Sequence, residues 1–473
     1  MDSYKAIEEK IGQWRDYPEV FDREAFEWEK LRIGDWEGPT EQQQEASRLV
    51  GEISRAKIKA SLGEEMDERE EELSRKLGIS IKSGHGTGKD AWLARTYLWA
   101  MLFPMFTGMV TAPTSHQLES VLWKEIRKWL RYCPVLRDHI EIQSDKMFWK
   151  GYKGEWFVEA RTANVKGTEE EQGETLAGRH GKYMILAVDE SSGVPRGVYK
   201  PIEGAMTGFM NFAILIGNPT RSGGYFFDTH TKDRERWVCL TWSSEDSPLI
   251  PEYLLEEERK KYGWDSNWYR VRRRGEFPKV SDDTLIPYDW VMAAIDRDIE
   301  IGDGDAIIKG IDVGAGGDKS IILTRQGRVV TDIKEYDNPD TMKVTGWIMR
   351  ELSDGDYDVA FIDPIGLGAG VYDRLVEMGV RNLYPVDYRD AASEDNKFFR
   401  LRDELIWKVR EAFESGLIKI PDDDEFIGEL TNIKYDVKDS KGVIKIESKR
   451  ELKARGVASP NKLDALAMTY YWG

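Results

Sequence analysis

Leu77-Gly78-Ile79-Ser80-Ile81-Lys82-Ser83-Gly84-His85-Gly86-Thr87-Gly88-Lys89-Asp90 is the stretch whose reading decides the fold. Leu77–Lys82 predicts a strand, the glycines a tight turn, and Lys89 to about Met101 a helix. Strand, Gly-rich turn and helix together form the context of a phosphate loop. Glycines let backbone N–H groups turn inward around phosphates, and the helix N-terminus adds partial positive charge. The candidate nucleotide-binding residues are Ser83, Gly84, His85, Gly86, Thr87, Gly88, Lys89 and Asp90, with Lys89 reaching for the β- and γ-phosphates. Two positions depart from GxxxxGK[ST]. Ser83 replaces the first Gly, and Asp90 stands where a hydroxyl normally ligates Mg2+. A carboxylate can hold Mg2+ too, but it sets a negative charge beside the phosphates. Taken alone, the stretch also fits a Gly-rich turn with a surface lysine.

Further along, Met184-Ile185-Leu186-Ala187-Val188-Asp189-Glu190 is an apolar strand ending in two acids, a Walker B pattern. Asp189 would hold Mg2+, and Glu190 would polarise the attacking water. Val110-Thr111-Ala112-Pro113-Thr114 closes the intervening strand, as a TAPT-type motif does in helicase-like ATPases. Ile214-Leu215-Ile216-Gly217-Asn218-Pro219-Thr220 closes the next one, where the Asn218 amide could sense the γ-phosphate and couple hydrolysis to motion. Gln42, Gln43 and Gln44 include a possible adenine contact, without a register to choose among them. Strands at Gly108–Ala112, Met184–Val188 and Phe212–Ile216, a hairpin at Phe148–Glu159 and a helix at Gln117–Arg131 predict an α/β domain on a parallel sheet.

A second set of acids lies beyond residue 300. Asp312 follows Gly310-Ile311 within a meander of three predicted strands, Ala306–Asp312, Ser320–Arg325 and Arg328–Glu335. Asp363 ends the apolar strand Val359–Asp363. Asp464 opens a helix in Ser459-Pro460-Asn461-Lys462-Leu463-Asp464. One acid from the first strand, one from the strand after the first helix and one from a late helix is the RNase H-like order. Converging acids of this kind bind two divalent ions. Asp318 either supplements the site or shapes the hairpin turn. A helix at Lys397–Ser415 and a hairpin around Asp439–Gly442 complete the unit.

The chain has 473 residues with a net charge of −18, which disfavours a simple sequence-specific DNA reader, since such readers are usually basic. Residues 1–80 hold 21 acids and 13 Lys/Arg, so nearly half of the acidity lies ahead of the phosphate loop. Residues 1–75 read as helical, with Trp14, Phe21, Phe26 and Trp28 as packing anchors, and Glu64–Glu72 reads as a solvated helix. No apolar run reaches the roughly 18 residues of a membrane span, and MDSYKAIEEKIGQW is no signal peptide. Cys133 and Cys239 stand too far apart, and without His at ligand spacing, for a disulfide framework or zinc ribbon.

These motifs together resemble the large terminase subunit of tailed bacteriophages. The resemblance runs over roughly 35–473 and is carried by SGHGTGK, LAVDESSGV, LIGNPT, GIDVGAGGDKS, FIDPIGLGAGVYDRL, SPNKLDALAM and the stretch Phe398–Pro421. It implies an N-terminal helical extension (1–34), a P-loop ASCE/helicase-like ATPase domain (35–235), a lid or linker (236–284) and an RNase H-like nuclease domain (285–473). ATP with Mg2+ would serve the first activity, and two Mg2+ or Mn2+ ions the second. The family's nucleotide roles carry onto Lys89, Asp189 and Glu190, coupling onto Asn218, and the nuclease ligands onto Asp312, Asp363 and Asp464. Implied partners are double-stranded DNA, a portal-bearing procapsid, a small terminase subunit and further copies in a ring during packaging, the isolated chain being monomeric. No membrane is involved. The implied place is the host cytoplasm, transiently at the portal, and not the mature virion. Two departures stand out: Asp90, and His85 where many members carry an arginine. A trans-acting arginine is expected, with Arg127, Arg131, Arg137, Arg161 and Arg179 all available. Arg270, Arg272, Arg273 and Arg274 could touch DNA phosphates or clamp the lid. A repair helicase-nuclease and a non-hydrolysing nucleotide-binding assembly protein are the alternatives.

Overall fold

The structure is a computed structural model of the whole chain. It describes all residues except 1, 32–37, 166, 177–180, 207, 280–282, 315–317, 354, 439–442, 456 and 472–473. The chain forms two compact units: Met1–Glu256 with Arg270–Pro278, and Glu257–Tyr269 with Lys279–Gly473. The stretch 236–284, read from the sequence as a lid or linker, is thus shared between the two.

The first unit is built on eight strands: β1 (Gly78–Ser83), β2 (Thr107–Ala112), β3 (Ile140–Ile142), β4 (Lys146–Trp149), β5 (Phe157–Thr162), β6 (Tyr183–Val188), β7 (Met210–Gly217) and β8 (Trp237–Trp242). Their order is β3-β4-β5-β2-β6-β7-β1-β8. All neighbours from β5 to β8 are parallel, and β3-β4-β5 is an antiparallel edge. All eight residues of β7 are buried, as a central parallel strand requires. Its position between β1 and β6 defines the ASCE arrangement, and it brings three motif-bearing strand ends side by side. β8 is the eighth strand of this sheet, so the unit extends past residue 235.

The N-terminal helices Asp2–Asp16, Pro18–Glu24 and Trp28–Leu31 belong to the core of this unit. Trp14, Phe21, Phe26 and Trp28 are all buried in the same cluster as Ile79 and Trp92. Phe26 meets Trp129 edge-on at 5.4 Å. The predicted helix Gln117–Arg131 is a π-helical turn over Gln117–Leu122 followed by an α-helix over Trp123–Arg131.

The second unit holds β9 (Ile307–Asp312), β10 (Ser320–Gln326), β11 (Val329–Tyr336), β12 (Val359–Ile362) and β13 (Leu383–Pro385), in the order β11-β10-β9-β12-β13. β9, β10 and β11 form an antiparallel meander, while β12 and β13 run parallel to β9. This is the RNase H-like sheet. The helix Asn461–Met468 lies directly on β9, and Gly310 permits it: a Cβ there would stand 1.9 Å from the Ala465 carbonyl oxygen. A separate hairpin, β14 (Tyr435–Lys438) and β15 (Val443–Ile446), flanks the sheet; its turn lies outside the described residues. The helix predicted from Lys397 starts at Leu401. Before it, the Ile444 N–H donates to the Lys397 carbonyl (2.8 Å), and the Phe399 N–H donates to the Ile444 carbonyl (3.0 Å). This long-range pairing with the hairpin overrides local helix propensity.

Candidate active sites

The phosphate loop runs from the buried end of β1 into the helix Lys89–Ala100. Gly86 and Gly88 sit at φ 75° and 76°, the left-handed region that glycine enters freely. Ser83 replaces the first glycine without cost, because its hydroxyl turns inward: Oγ donates to the Gly84 carbonyl (2.8 Å) and lies 2.6 Å from Thr87 Oγ1. Gly84 cannot carry a side chain, since a Cβ would stand 2.4 Å from the Arg273 carbonyl oxygen. Three backbone bonds tie the loop and its neighbours down: Gly84 N–H to Trp242 O (2.8 Å), His85 N–H to Arg272 O (2.7 Å) and Ser244 N–H to Arg273 O (2.6 Å). Arg272 Nη1 also lies 3.3 Å from His85 Nδ1. Burial, reinforced by Arg272, lowers His85 to about 3 and keeps it neutral.

At the ends of β6 and β7, Lys89, Asp189, Glu190 and Asn218 come together. Lys89 Nζ is 2.8 Å from Glu190 Oε1 and 3.4 Å from Asp90 Oδ1. Glu190 adopts φ 46°, and its N–H donates to Asp189 Oδ1 at 2.9 Å. Asn218 spans two motifs: Nδ2 donates to the Ser83 carbonyl (2.6 Å), and its N–H donates to Glu190 Oε2 (3.4 Å). Burial raises Asp189 to about 8, with Asp90's charge adding to it. Burial likewise raises Asp90. Burial opposes ionisation of Glu190 too, but the Lys89 ammonium prevails and holds it below its usual value. An excess of buried carboxylate around one ammonium is chemistry that fits a divalent cation.

Gln43 has no amide left for a base. Its Nε2 donates to the carbonyls of Thr87 (2.9 Å) and Gly88 (3.4 Å), while its Oε1 accepts from Arg95 Nη2 (2.8 Å). Gln42 Nε2 donates to the Ser243 carbonyl (2.9 Å). Beside Gly88 and Asp90 a cavity of about 420 Å3 opens, lined in part by Gln43, Lys124, Trp129 and Leu249. Of the five arginines, Arg127 donates to Gln143 O (3.0 Å), Arg137 lies 3.7 Å from Glu27, and Arg161 lies 3.0 Å from Glu159. Arg131 is exposed, and Arg179 lies outside the described residues. Arg270 and Arg274 share Glu276, at 2.9 and 2.6 Å.

In the second unit, Asp312 ends β9, Asp363 directly follows β12, and Asp464 sits in the first turn of Asn461–Met468. All three line one cavity of about 540 Å3. Lys449, which the motifs did not single out, enters between two of them: its Nζ is 3.3 Å from Asp312 Oδ2 and 3.0 Å from Asp464 Oδ2. Arg402 lies 3.2 Å from Asp464 Oδ1, and the Tyr388 hydroxyl donates to the Asp464 carbonyl. Burial raises Asp312 to about 7, offset in part by Lys449. Asp464 is equally buried, yet Arg402 and Lys449 together hold it below its usual value. Burial raises Asp363, whose Oδ1 accepts from the Ile365 N–H at 2.9 Å. Asp318 lines the same cavity and accepts from Ser459 Oγ at 3.0 Å. Among the described residues, no group of three or more His, Cys, Asp or Glu side chains stands together as a ready-made metal site. Asp312 and Asp464 instead share the Lys449 ammonium while Asp363 lines the same cavity, and three hard oxygen donors suit Mg2+ or Mn2+ once that ammonium moves.

No family model matches the chain. It is 28% identical over 414 residues to a "Probable terminase, large subunit" of Enterobacteria phage P7, covering 81% of this chain and 83% of that protein. Among solved structures, it resembles the nuclease domain of the large terminase subunit of bacterial virus Sf6 (19% identity, 40% of this chain, 99% of that one, TM-score 0.35). It also resembles a large terminase from a thermophilic bacteriophage (14% identity, 88% of this chain, 98% of that one, TM-score 0.39).

Proposed function

We infer that this chain belongs to the large terminase subunits, and from that premise we propose that it drives double-stranded DNA into a procapsid by ATP hydrolysis and cuts the DNA with its second unit. The observation that carries the reading is the pairing of two sites in one chain: Lys89, Glu190 and Asn218 on adjacent strand ends, and three carboxylates in one cavity of an RNase H-like sheet. The domain division proposed is a P-loop ATPase followed by this nuclease. Portal, procapsid, small subunit and ring neighbours are the proposed partners, with the host cytoplasm as the place of action. Among the described residues, no helix is long and apolar enough to cross a membrane.

The loop's N–H groups beyond His85, those of Gly84 and His85 being taken by protein carbonyls, and Lys89 hold the phosphates of ATP. As Lys89 turns to them it leaves Glu190, whose freed carboxylate takes a proton from the attacking water. Asn218, bonded to both the loop and Glu190, registers that exchange on β7. Asp189 and Asp90 would hold Mg2+, which supplies neutralisation of developing phosphate charge. In the second unit, Asp312, Asp363 and Asp464 would hold divalent ions, which supply an activated water and a stabilised leaving oxygen. Arg402 and Tyr388 fix Asp464, and Lys449 swings away to admit the ions. A non-hydrolysing protein would have no use for Glu190 at this position.

The test is DNA protection from external nuclease in the presence of portal-bearing procapsids. Protection that grows with ATP and is lost with a non-hydrolysable analogue supports the motor. ATP turnover without any protected DNA overturns it.

A further inference from the structure

The carboxylate cavity has a rim as well as a floor. Phe398 and Phe399 are neighbours with opposite fates: the first is 3% exposed and the second 51%. Phe399 is nonetheless fixed in place. Its N–H donates to Ile444 O at 3.0 Å, the Ile444 N–H donates to Lys397 O, and the helix begins two residues on at Leu401. Arg402 then reaches Asp464 at 3.2 Å. The backbone that carries the exposed ring is therefore held at a set place relative to the carboxylates, on the lip of their cavity.

Arg400 stands beside it on the same lip, exposed, with its guanidinium 5.4 Å from the Phe399 ring centroid. Among the described residues Arg400 makes no ion pair. Lys445 and Arg389 line the same cavity, Arg389 lying 2.6 Å from Asp387. In a chain of net charge −18, such cations over a carboxylate floor are out of keeping with the overall balance. They suit a polyanion whose backbone must approach the acids. An exposed apolar ring on a fixed stretch of backbone among them suits a base. Every nucleobase has a π-face, so an aromatic side chain grips DNA without reading sequence, and apolar wedges unstack base steps in duplexes.

We propose that Phe399 and Arg400 form a DNA-gripping lip: Arg400 takes a backbone phosphate, and Phe399 stacks on a base beside the phosphate to be cut, parting it from its neighbour. This rests on the nuclease reading above and specifies how that site holds its substrate. Both are positioning residues, and their side chains lie at the surface, so their replacement leaves the core intact.

The test uses the full chain and a short duplex carrying 2-aminopurine, whose fluorescence rises when it unstacks. In an Asp363→Ala background, which binds without cutting, the duplex should brighten on binding. Phe399→Ala should abolish the brightening, and Phe399→Trp should keep it. In the cutting-competent chain, Phe399→Ala should raise KM for duplex by about fivefold or more with kcat little changed, the loss of one base–aromatic stack. Arg400→Gln should weaken binding and reduce the salt dependence by roughly one phosphate contact. A wild-type chain that cuts no DNA with Mg2+ or Mn2+ overturns the nuclease reading and the lip with it. A wild-type chain that cuts, with Phe399→Ala unchanged in both KM and 2-aminopurine signal, overturns the lip alone.

Discussion

Lys89 serves two masters in turn, and the residue predictions follow from that. Glu190→Gln removes the proton acceptor but leaves Lys89 and Asp189 in place. ATP should still bind while turnover falls by about two orders of magnitude or more; hydrolysis at the wild-type rate would refute the assignment of Glu190. Asp90→Ser removes a like charge from beside the phosphates, so titration should give equal or tighter Mg·ATP binding. A large loss of affinity would instead make Asp90 essential. Lys449→Ala leaves Asp312 and Asp464 facing each other without the ammonium between them. Calorimetric titration should then show Mn2+ binding roughly tenfold tighter, as removal of one opposing charge implies; unchanged affinity counts against the three-acid site. Lys89, Asp189, Glu190 and Asn218 were legible because each belongs to a contiguous motif at a strand end. Lys449 was not: it lies 137 residues from Asp312, and a lysine opening an ordinary helix carries no local signal.

Elements, rather than single groups, explain how the phosphate loop keeps its shape. The helix Glu41–Leu62 supplies Gln43 to two loop carbonyls, Lys89–Ala100 supplies Arg95 to Gln43, and Pro18–Glu24 supplies Asp22 to Arg95. Arg95 also lies over the rings of Trp28 (5.1 Å) and Trp129 (4.4 Å). Asp22 and Arg95 are almost wholly buried, so Arg95→Met leaves a buried carboxylate without its cation. The expected cost is about 3–5 kcal/mol by denaturant unfolding, with weaker ATP binding. Adding Asp22→Asn should recover much of the stability, and a double variant no better than the single would refute the coupling. Helical character before residue 75 and the four aromatic anchors could be read from sequence. Their membership in the core of the first unit could not, because it depends on contacts with residues far along the chain. The early start assigned to the helix at Lys397 failed for the same reason: backbone pairing with Ile444 is invisible locally.

At the scale of the whole molecule, the alternation of strands and helices marked most strands of both sheets but not β3 or β8, and the order of β7 between β1 and β6 came only from the fold. Stability should depend on pH through buried His230, whose Nε2 lies 3.1 Å from Ser80 Oγ on β1. Burial, with Lys82 nearby, lowers it to about 3 from an unfolded value of 6.5. The unfolded chain therefore takes up this proton first, and stability falls as pH drops from 6.5 toward 3. Melting curves of His230→Asn should be flatter across that window; an identical slope would exclude His230 as the source. The segment Glu257–Tyr269 belongs with the second unit, where Tyr262 stacks on Trp268 at 3.7 Å and Lys261 lies 3.3 Å from Glu425. A fragment from Pro251 should accordingly melt higher than one from Asp283, and equal melting would show that segment to be dispensable. The same detour has a biochemical corollary. A protease that nicks the backbone just after Pro278 leaves Glu257–Tyr269 covalently on the N-terminal piece but packed into the C-terminal one. The two pieces should then co-elute from a sizing column as a complemented pair, parting only in denaturant.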